Sequence, residues 1–353
     1  MRFEDKINAA KSLFSDFSGE FECFASPLTN YRTRAEFGFY KDEQGLHYAM
    51  FDAQSKRKVI IGEFTLAQKS IQKAMSALLD ELNANATLSH KLFGAEFMAT
   101  KENLSITLLY HTDINAFKNE LANLQKRLKI HLIARSKGKK LVFGGENLLQ
   151  RLQIGQQNFV YEFNNDCFVQ PNTAINEKMI EWAMSCISTH ERADLCELYC
   201  GYGNFTLPLA TLFRRVLATE ISKTNIRFAR LNALTNRAFN ASFVRLSSEE
   251  LVQALNGVRK FYRLKELDID LKTYDFSHLF LDPPRAGLDE RVREFAGRFK
   301  HIIYISCNPQ SLKRDLDELA KTHEIQRFAL FDQFASTPHL ECGVILKKKI
   351  KST

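Results

Sequence analysis

Three features of the 353-residue sequence predict an α/β protein in two parts. From residue 193 onward strands alternate with helices, the mark of a mostly parallel, doubly wound sheet. Two consecutive strand runs close the chain, so the last strand is expected to run antiparallel to its neighbours. The first half sets short aromatic-rich strands between helices, which reads as a separate α+β module. The pattern changes around residues 158–170, and a boundary near residue 160 divides the chain into 1–160 and 161–353.

Taken in order, residues 3–17 read as a helix, and strand runs follow at 31–40 (YRTRAEFGFY), 46–52 and 58–62. Residues 65–82 read as a second helix, because Leu66, Ile71, Met75, Leu78, Leu79 and Leu82 recur near the helical period. Strands at 91–98, 104–110 and 129–134 complete the module, with a helix over 114–128.

Beyond the boundary, Asn164-Asn165-Asp166 signals a turn, and residues 173–188 form a helix with Ile175, Met179, Trp182 and Cys186 on one face. Strand 193–198 leads into loop 199–203 and a helix from Asn204. Strand 215–219 ends in Glu220, and Ser222 caps a helix running to about Asn236. After strand 239–246, Ser247 and Glu250 fit a capping box. A basic insertion, 257–272, precedes strand 277–281, then Asp282-Pro283-Pro284-Arg285 and a helix from Asp289. The apolar, β-branched run 302–305 is a buried strand that stops at Ser306-Cys307-Asn308-Pro309. Proline lacks the N–H a ladder needs but suits the first turn of the helix that follows. Runs 325–331 and 341–347 end the chain.

That order has a geometric consequence. Loop 199–203, Glu220, Asp282 and Cys307 each follow the carboxyl end of a parallel strand, the edge where open α/β sheets bind ligands. An antiparallel last strand starts at the same edge, so its first residue, Glu341, faces the same cleft.

Composition narrows the function classes. A 45% hydrophobic, 25% charged chain is ordinary for a globular protein. The first seventeen residues mix charge into an amphipathic pattern unlike a signal peptide, and no run is long and apolar enough to cross a bilayer. A cytoplasmic protein with no membrane partner is expected. Seven cysteines without an export signal argue for reduced thiols. No CxxC pair occurs, and Cys196/Cys200 has no partner pair at zinc spacing, so no metal is expected. The net charge of +8 favours a polyanionic partner. Arg32 and Arg34 alternate with Tyr31 and Thr33, and Lys56-Arg57-Lys58, Arg135, Lys137, Lys139 and Lys140 lie in or near turns. Singly these read as solvated surface charges; together, beside exposed rings, they suit RNA, whose phosphates they neutralise and whose bases stack on aromatics.

The loop ELYCGYG carries two glycines after the first strand of the second half, but Thr206 stands where a dinucleotide fingerprint has its third. Glu220, one strand later, can accept hydrogen bonds from both ribose hydroxyls. The pair fits an adenosine-bearing ligand without phosphates, such as S-adenosylmethionine. The Asp282-Pro283-Pro284 run resembles exocyclic-amine methyltransferases, except that Arg285 replaces their aromatic residue.

In combination, ELYCGYGNF, ATE, LDPPRAGLD, YISCNP and LECGVIL, in this order, closely resemble the RNA uracil-5-methyltransferase family. YRTRAEFGF, FDAQSKRK, HKLFG and QPNTAIN extend the resemblance through the first half and point to the transfer-RNA branch. Members acting on ribosomal RNA commonly add an N-terminal barrel and iron–sulfur cysteines, which this sequence lacks.

The resemblance implies a Rossmann-like S-adenosylmethionine-dependent methyltransferase domain behind an N-terminal α+β RNA-binding domain. The implied reaction is C5-methylation of uridine 54 in the tRNA T-loop, with a T-loop-like uridine in tmRNA as a further substrate. Cys307 matches the family nucleophile and Glu341 its proton acceptor, a role that requires a desolvated carboxyl with a raised pKa. Gln170, Tyr199, Asn204, Glu220 and Asp282 match cofactor-binding positions, and Phe93 matches an aromatic that meets RNA. Arg285 is assigned to electrostatic support of the thiolate or enolate, and Arg32 and Arg34 to the RNA surface. Cys342, beside Glu341, is expected to point to the opposite face and pack. Expected partners are the tRNA T-arm and tmRNA, with a monomeric protein. The competing readings are a ribosomal-RNA uridine methyltransferase and a non-catalytic RNA-binding or RNA-folding protein.

Overall fold

The computed structural model describes residues 1–52, 56–187 and 193–350. The predicted helix end at Ser188, and residues 53–55 of FDAQSKRK, lie outside the described residues.

Two compact units form: one from Met1–Ser26, Arg151–Tyr161 and Ala174–Thr353, the other from Pro27–Gln150 and Glu162–Thr173. This corrects the single boundary near residue 160, because the chain passes between the units four times. The first helix, Phe3–Leu13, and the strand Phe21–Phe24 fold with the second half of the sequence, not the first. The cause is packing at long sequence separation: Phe14, Phe17 and Phe21 each meet Phe328, with ring centroids 4.7, 5.6 and 4.9 Å apart.

The larger unit is built on an eight-stranded sheet in the order Phe21–Phe24, His323–Phe331, Glu341–Lys348, His301–Ser306, Phe276–Leu281, Asp194–Leu198, Arg215–Thr219, Ala241–Val244. Every neighbouring pair is parallel except those made by Glu341–Lys348, which runs antiparallel to both its neighbours. The terminal hairpin is therefore as expected. Strands such as Asp194–Leu198 are buried at every residue, as a sheet covered on both faces requires. Helix Lys223–Thr235 starts at Ser222, whose side chain accepts from Asn225 N, and Ser247/Glu250 form the capping box read from sequence.

The second unit holds a seven-stranded sheet, ordered Arg57–Ile60, Gly45–Asp52, Arg34–Asp42, Leu92–Ala99, Leu104–Tyr110, His131–Ser136, Lys139–Phe143. All its pairs are antiparallel except Leu104–Tyr110 with His131–Ser136. Helix Lys69–Ala84 lays Ile71, Ala74, Met75, Leu78 and Leu82 into its core. That helix begins later than expected, because Thr65 and Leu66 accept backbone hydrogen bonds from Asn30, Tyr31 and Arg32 instead of from a helical turn. The hairpin of Leu148–Ile154 and Gln157–Phe163 spans the points where the chain changes units.

Candidate active site

Cys307 is half-buried, one residue beyond His301–Ser306. Asn308 caps the following helix, Pro309–Leu319, by accepting from Gln310 N at 3.2 Å, and Pro309 occupies the first turn. In the ladder with the last strand Ser306 lies opposite Cys342, so the next step of the same register sets Cys307 opposite Glu341. Directly opposed residues of an antiparallel pair share a face, with Cβ atoms about 4.5–5.5 Å apart. Cys342 falls on the other face and packs with Leu330, Val344 and Tyr304, as expected.

Burial sets the electrostatics. Glu341 is 3% exposed. Desolvation, helped by the charge of Asp282, pushes its carboxyl up to about 8. Asp282 is pushed up to about 7 by desolvation. Glu197 rises to about 8 for the same reason, with Asp282 adding to the shift. One oxygen of Glu197 has no partner in hydrogen-bond geometry among the described residues, although Thr206 opposes part of its shift. Glu197 and Glu341 are buried and Asp282 is half-buried, and acids coupled in this way do not all ionise at neutral pH. The Cys307 thiol is pushed up to about 11, by desolvation first and then by Glu341 and Asp282. Arg285 acts in the expected, thiolate-favouring direction. Its exposed guanidinium is outweighed by burial and two acids.

Both segments flanking this site are tied down. The carbonyls of Arg285, Ala286 and Leu288 accept from Asn308 Nδ2 and Arg314 Nη2 at 3.0–3.1 Å. Buried Asp315 accepts from Leu288 N at 2.8 Å, Tyr304 Oη at 2.7 Å and Arg293 Nη1 at 3.1 Å. The loop after Asp282 is thereby fixed to the helix after Cys307. Opposite it, Lys6 of the first helix is buried against Asp332 at 2.6 Å and donates to the carbonyls of Phe334 and His339, both at 2.9 Å. Those carbonyls belong to the connection that delivers Glu341. A cavity of about 280 Å³ beside Cys307 is lined by Lys6, Ala10, Leu13, Arg285 and Leu340. Sequence reasoning missed Lys6 and Asp332, yet a signal existed: Lys6 interrupts the apolar face formed by Phe3, Ile7, Ala10 and Phe14.

On the neighbouring strands, Tyr199, Gly201 and Gly203 take φ of +62°, +55° and +92°. The turn they make lets Gly201 N donate to Glu220 Oε2 at 3.2 Å, while Ser222 N donates to Oε1 at 2.7 Å. Each carboxylate oxygen keeps a further lone pair for a ribose hydroxyl. A Cβ on Gly201 would meet nothing within 4 Å, so this backbone faces open space against which a ligand can lie. Asn204 is held by reciprocal hydrogen bonds with Asn176 at 2.8 and 2.9 Å, and Tyr199 Oη donates to Ser248 Oγ at 3.0 Å. Oriented acceptors beside an open glycine fit an adenosine-bearing ligand. Gln170 is buried in the other unit, and its place in this set stays with the family resemblance.

The model of the family described as "tRNA (Uracil-5-)-methyltransferase" matches residues 1–349. The chain belongs to that family. The tRNA/tmRNA (uracil-C(5))-methyltransferase of Campylobacter lari is 56% identical over 351 residues, covering 99% of this chain and all of its own length. The protein of the same name from Aliarcobacter butzleri is 45% identical, covering 97% of this chain and 92% of its own. Among solved structures, the Pyrococcus abyssi tRNA (uracil-54, C5)-methyltransferase, bound to S-adenosyl-L-homocysteine, superposes with a TM-score of 0.73. It is 19% identical and covers 98% of this chain and 84% of its own, a likeness of fold.

The residues expected to meet RNA, Phe93 from the family resemblance and Arg32 and Arg34 from the basic cluster, divide in the structure. Phe93 is 42% exposed and stacks on His111, ring centroids 4.0 Å apart at 15°. With Arg135, Lys137 and Lys139 the two rings line a cavity of about 560 Å³. Arg32 works inside the unit: it is half-buried, its Nε donates to Arg34 O at 2.7 Å, and its guanidinium lies 6.0 Å from the Phe64 ring. Arg34 pairs with Glu36 at 2.8 Å and with Glu96 at 3.8 Å. Among the described residues no cluster suited to a metal ion is found, and no helix is long and apolar enough to cross a membrane.

Proposed function

We propose that this protein methylates C5 of a uridine in tRNA, at position 54 of the T-loop, and a T-loop-like uridine in tmRNA. The observation that carries the reading is that Cys307 and buried Glu341 each stand one residue past Ser306–Cys342, the last register pair of their shared ladder, with a cavity beside Cys307, in a chain matched by the family over residues 1–349. C5 of uracil is too weak a nucleophile to take a methyl group unaided. Addition of the Cys307 thiolate to C6 moves the ring π electrons onto the C4 oxygen as an enolate and makes C5 nucleophilic. S-adenosylmethionine, when bound, supplies the methyl group that C5 captures. Ionised Glu341 then takes the proton from C5, the C–H electrons restore the C5–C6 double bond, and the thiolate leaves. Tyr199, Asn204, Glu220 and Asp282 would hold the cofactor, and Gln170 matches a further cofactor-binding position of the family. Arg285 lowers the cost of negative charge at the sulfur or the enolate. The target base must leave its stack to reach the half-buried thiol.

The test is covalent trapping. With 5-fluorouridine in T-arm RNA and S-adenosylmethionine present, the protein should form a stable adduct, because fluorine cannot be removed as a proton. No adduct, or an undiminished one in Cys307→Ala, refutes the mechanism.

A further inference from the structure

The basic insertion at 257–272 takes no part in the chemistry above, and the structure gives it neighbours. Its short helix, Tyr262–Glu266, brings Arg263 to a cavity of about 680 Å³ also lined by Lys223, Arg227, Arg230 and Arg245. Lys223, Arg227 and Arg230 follow one face of helix Lys223–Thr235, at i, i+4 and i+7, while Arg245 directly follows strand Ala241–Val244. Five cations thus converge from three elements on one cavity, with Glu266 the acidic residue in its lining.

Three of the guanidiniums are oriented by backbone carbonyls. Arg230 donates to Phe243 O at 2.9 Å, Arg245 to Ile221 O at 3.0 Å and Arg263 to Arg245 O at 2.8 Å. Among the described residues only Arg263 of the five has a carboxylate within ion-pair distance, Glu250 at 3.6 Å. Like charges gathered this closely repel one another unless an anion joins them. A ligand as positive as a sulfonium is disfavoured here; a polyanion is favoured. Ile221 and Arg245 lie just past the carboxyl ends of two parallel strands, the edge that carries Cys307. Beside the cavity, Tyr262 and Ile221 are 75% and 65% exposed, and both offer apolar surface to a nucleotide.

We propose that this arginine-lined cavity binds backbone phosphates of the substrate RNA, as a second anchor on the methyltransferase unit, away from the target base. The proposal rests on the reading that the substrate is RNA. Its test uses Lys223→Ala/Arg227→Ala, both exposed residues outside the catalytic and cofactor-binding set. Binding of a tRNA transcript, measured from 50 to 200 mM salt, should weaken roughly tenfold, and the slope of log affinity against log salt should fall by one to two. KM for tRNA should rise while kcat and S-adenosylmethionine affinity stay unchanged. An unchanged salt slope and KM overturn the proposal, and so does a loss confined to S-adenosylmethionine binding. A parent protein that binds no tRNA at any salt overturns the RNA reading along with it.

Discussion

The surface of the second unit and the catalytic edge of the larger one use the same charged residues in opposite ways. In the second unit carboxylates are matched at the surface: Glu81 with Arg127 at 2.7 Å, Asp113 with Lys139 at 2.8 Å, Glu36 with Arg34 at 2.8 Å. Glu81 and Asp113 are held below their ordinary pKa by those partners. At the catalytic edge of the larger unit Glu197 and Glu341 are buried, Asp282 is half-buried, and desolvation holds all three above it. Surface pairing makes a carboxylate inert at neutral pH; burial without a cation makes it a base that titrates near working pH. The lesson is that chemistry follows missing partners rather than charge density.

The largest effect should come from removing the base. Glu341→Gln should cut turnover by about 10³-fold and accumulate the protein–RNA adduct on unmodified RNA, read by gel shift. In the parent enzyme the rate should climb as pH rises through about 8, where Glu341 ionises, and the variant should lose that limb. Stability should move the other way. A carboxyl near 4.5 when unfolded and near 8 when folded keeps in the native state a proton that the unfolded chain has released. The stability this contributes is present below 4.5 and lost as pH rises to 8, so Glu341→Gln should raise Tm more at pH 9 than at pH 5.

Next comes Lys6, a buried charge of the larger unit that does have a partner. Lys6→Met strands Asp332 in the interior and should cost about 3–5 kcal/mol in denaturant melts, part of it recovered by adding Asp332→Asn. A loss below about 1 kcal/mol would mean that water reaches the pair. The smallest effect belongs to the surface. Arg34→Ala should change stability by less than about 1 kcal/mol. It should also leave KM for tRNA within about twofold, measured by methyl incorporation, because its guanidinium is committed to Glu36 and Glu96.

Legibility followed sequence distance. Strand Arg215–Thr219 and strand Leu104–Tyr110 lie where periodicity puts them, since a buried run bounded by turn residues announces itself locally. Cys307 and Glu341 were readable as a pair because strand order alone brings both to one edge. Strand Phe21–Phe24 was not, being four residues long and defined by its register with Phe328–Phe331. The hairpin of Leu148–Ile154 and Gln157–Phe163 also escaped, because glutamine and asparagine dilute its apolar alternation. The pair Lys6–Asp332 joins residues 326 positions apart, and no local pattern encodes such a partner. The partners of Arg32 and Arg34 were hidden for a related reason: composition marks a cation but not the carbonyl or carboxylate beside it.

The strand Phe21–Phe24 and the helix before it dock on strands made from the last thirty-odd residues of the sequence. During synthesis, therefore, the earliest segment of the catalytic unit must wait for the latest, a closure with a high entropic cost that comes late in folding. Until Glu341–Lys348 slots between its neighbours, Cys307 has neither its opposing acid nor the cavity wall that Lys6 provides. A partly made chain thus carries a thiol but no catalyst, and a fragment beginning at residue 161 should express as a protein with an open sheet edge, prone to pair with its own kind.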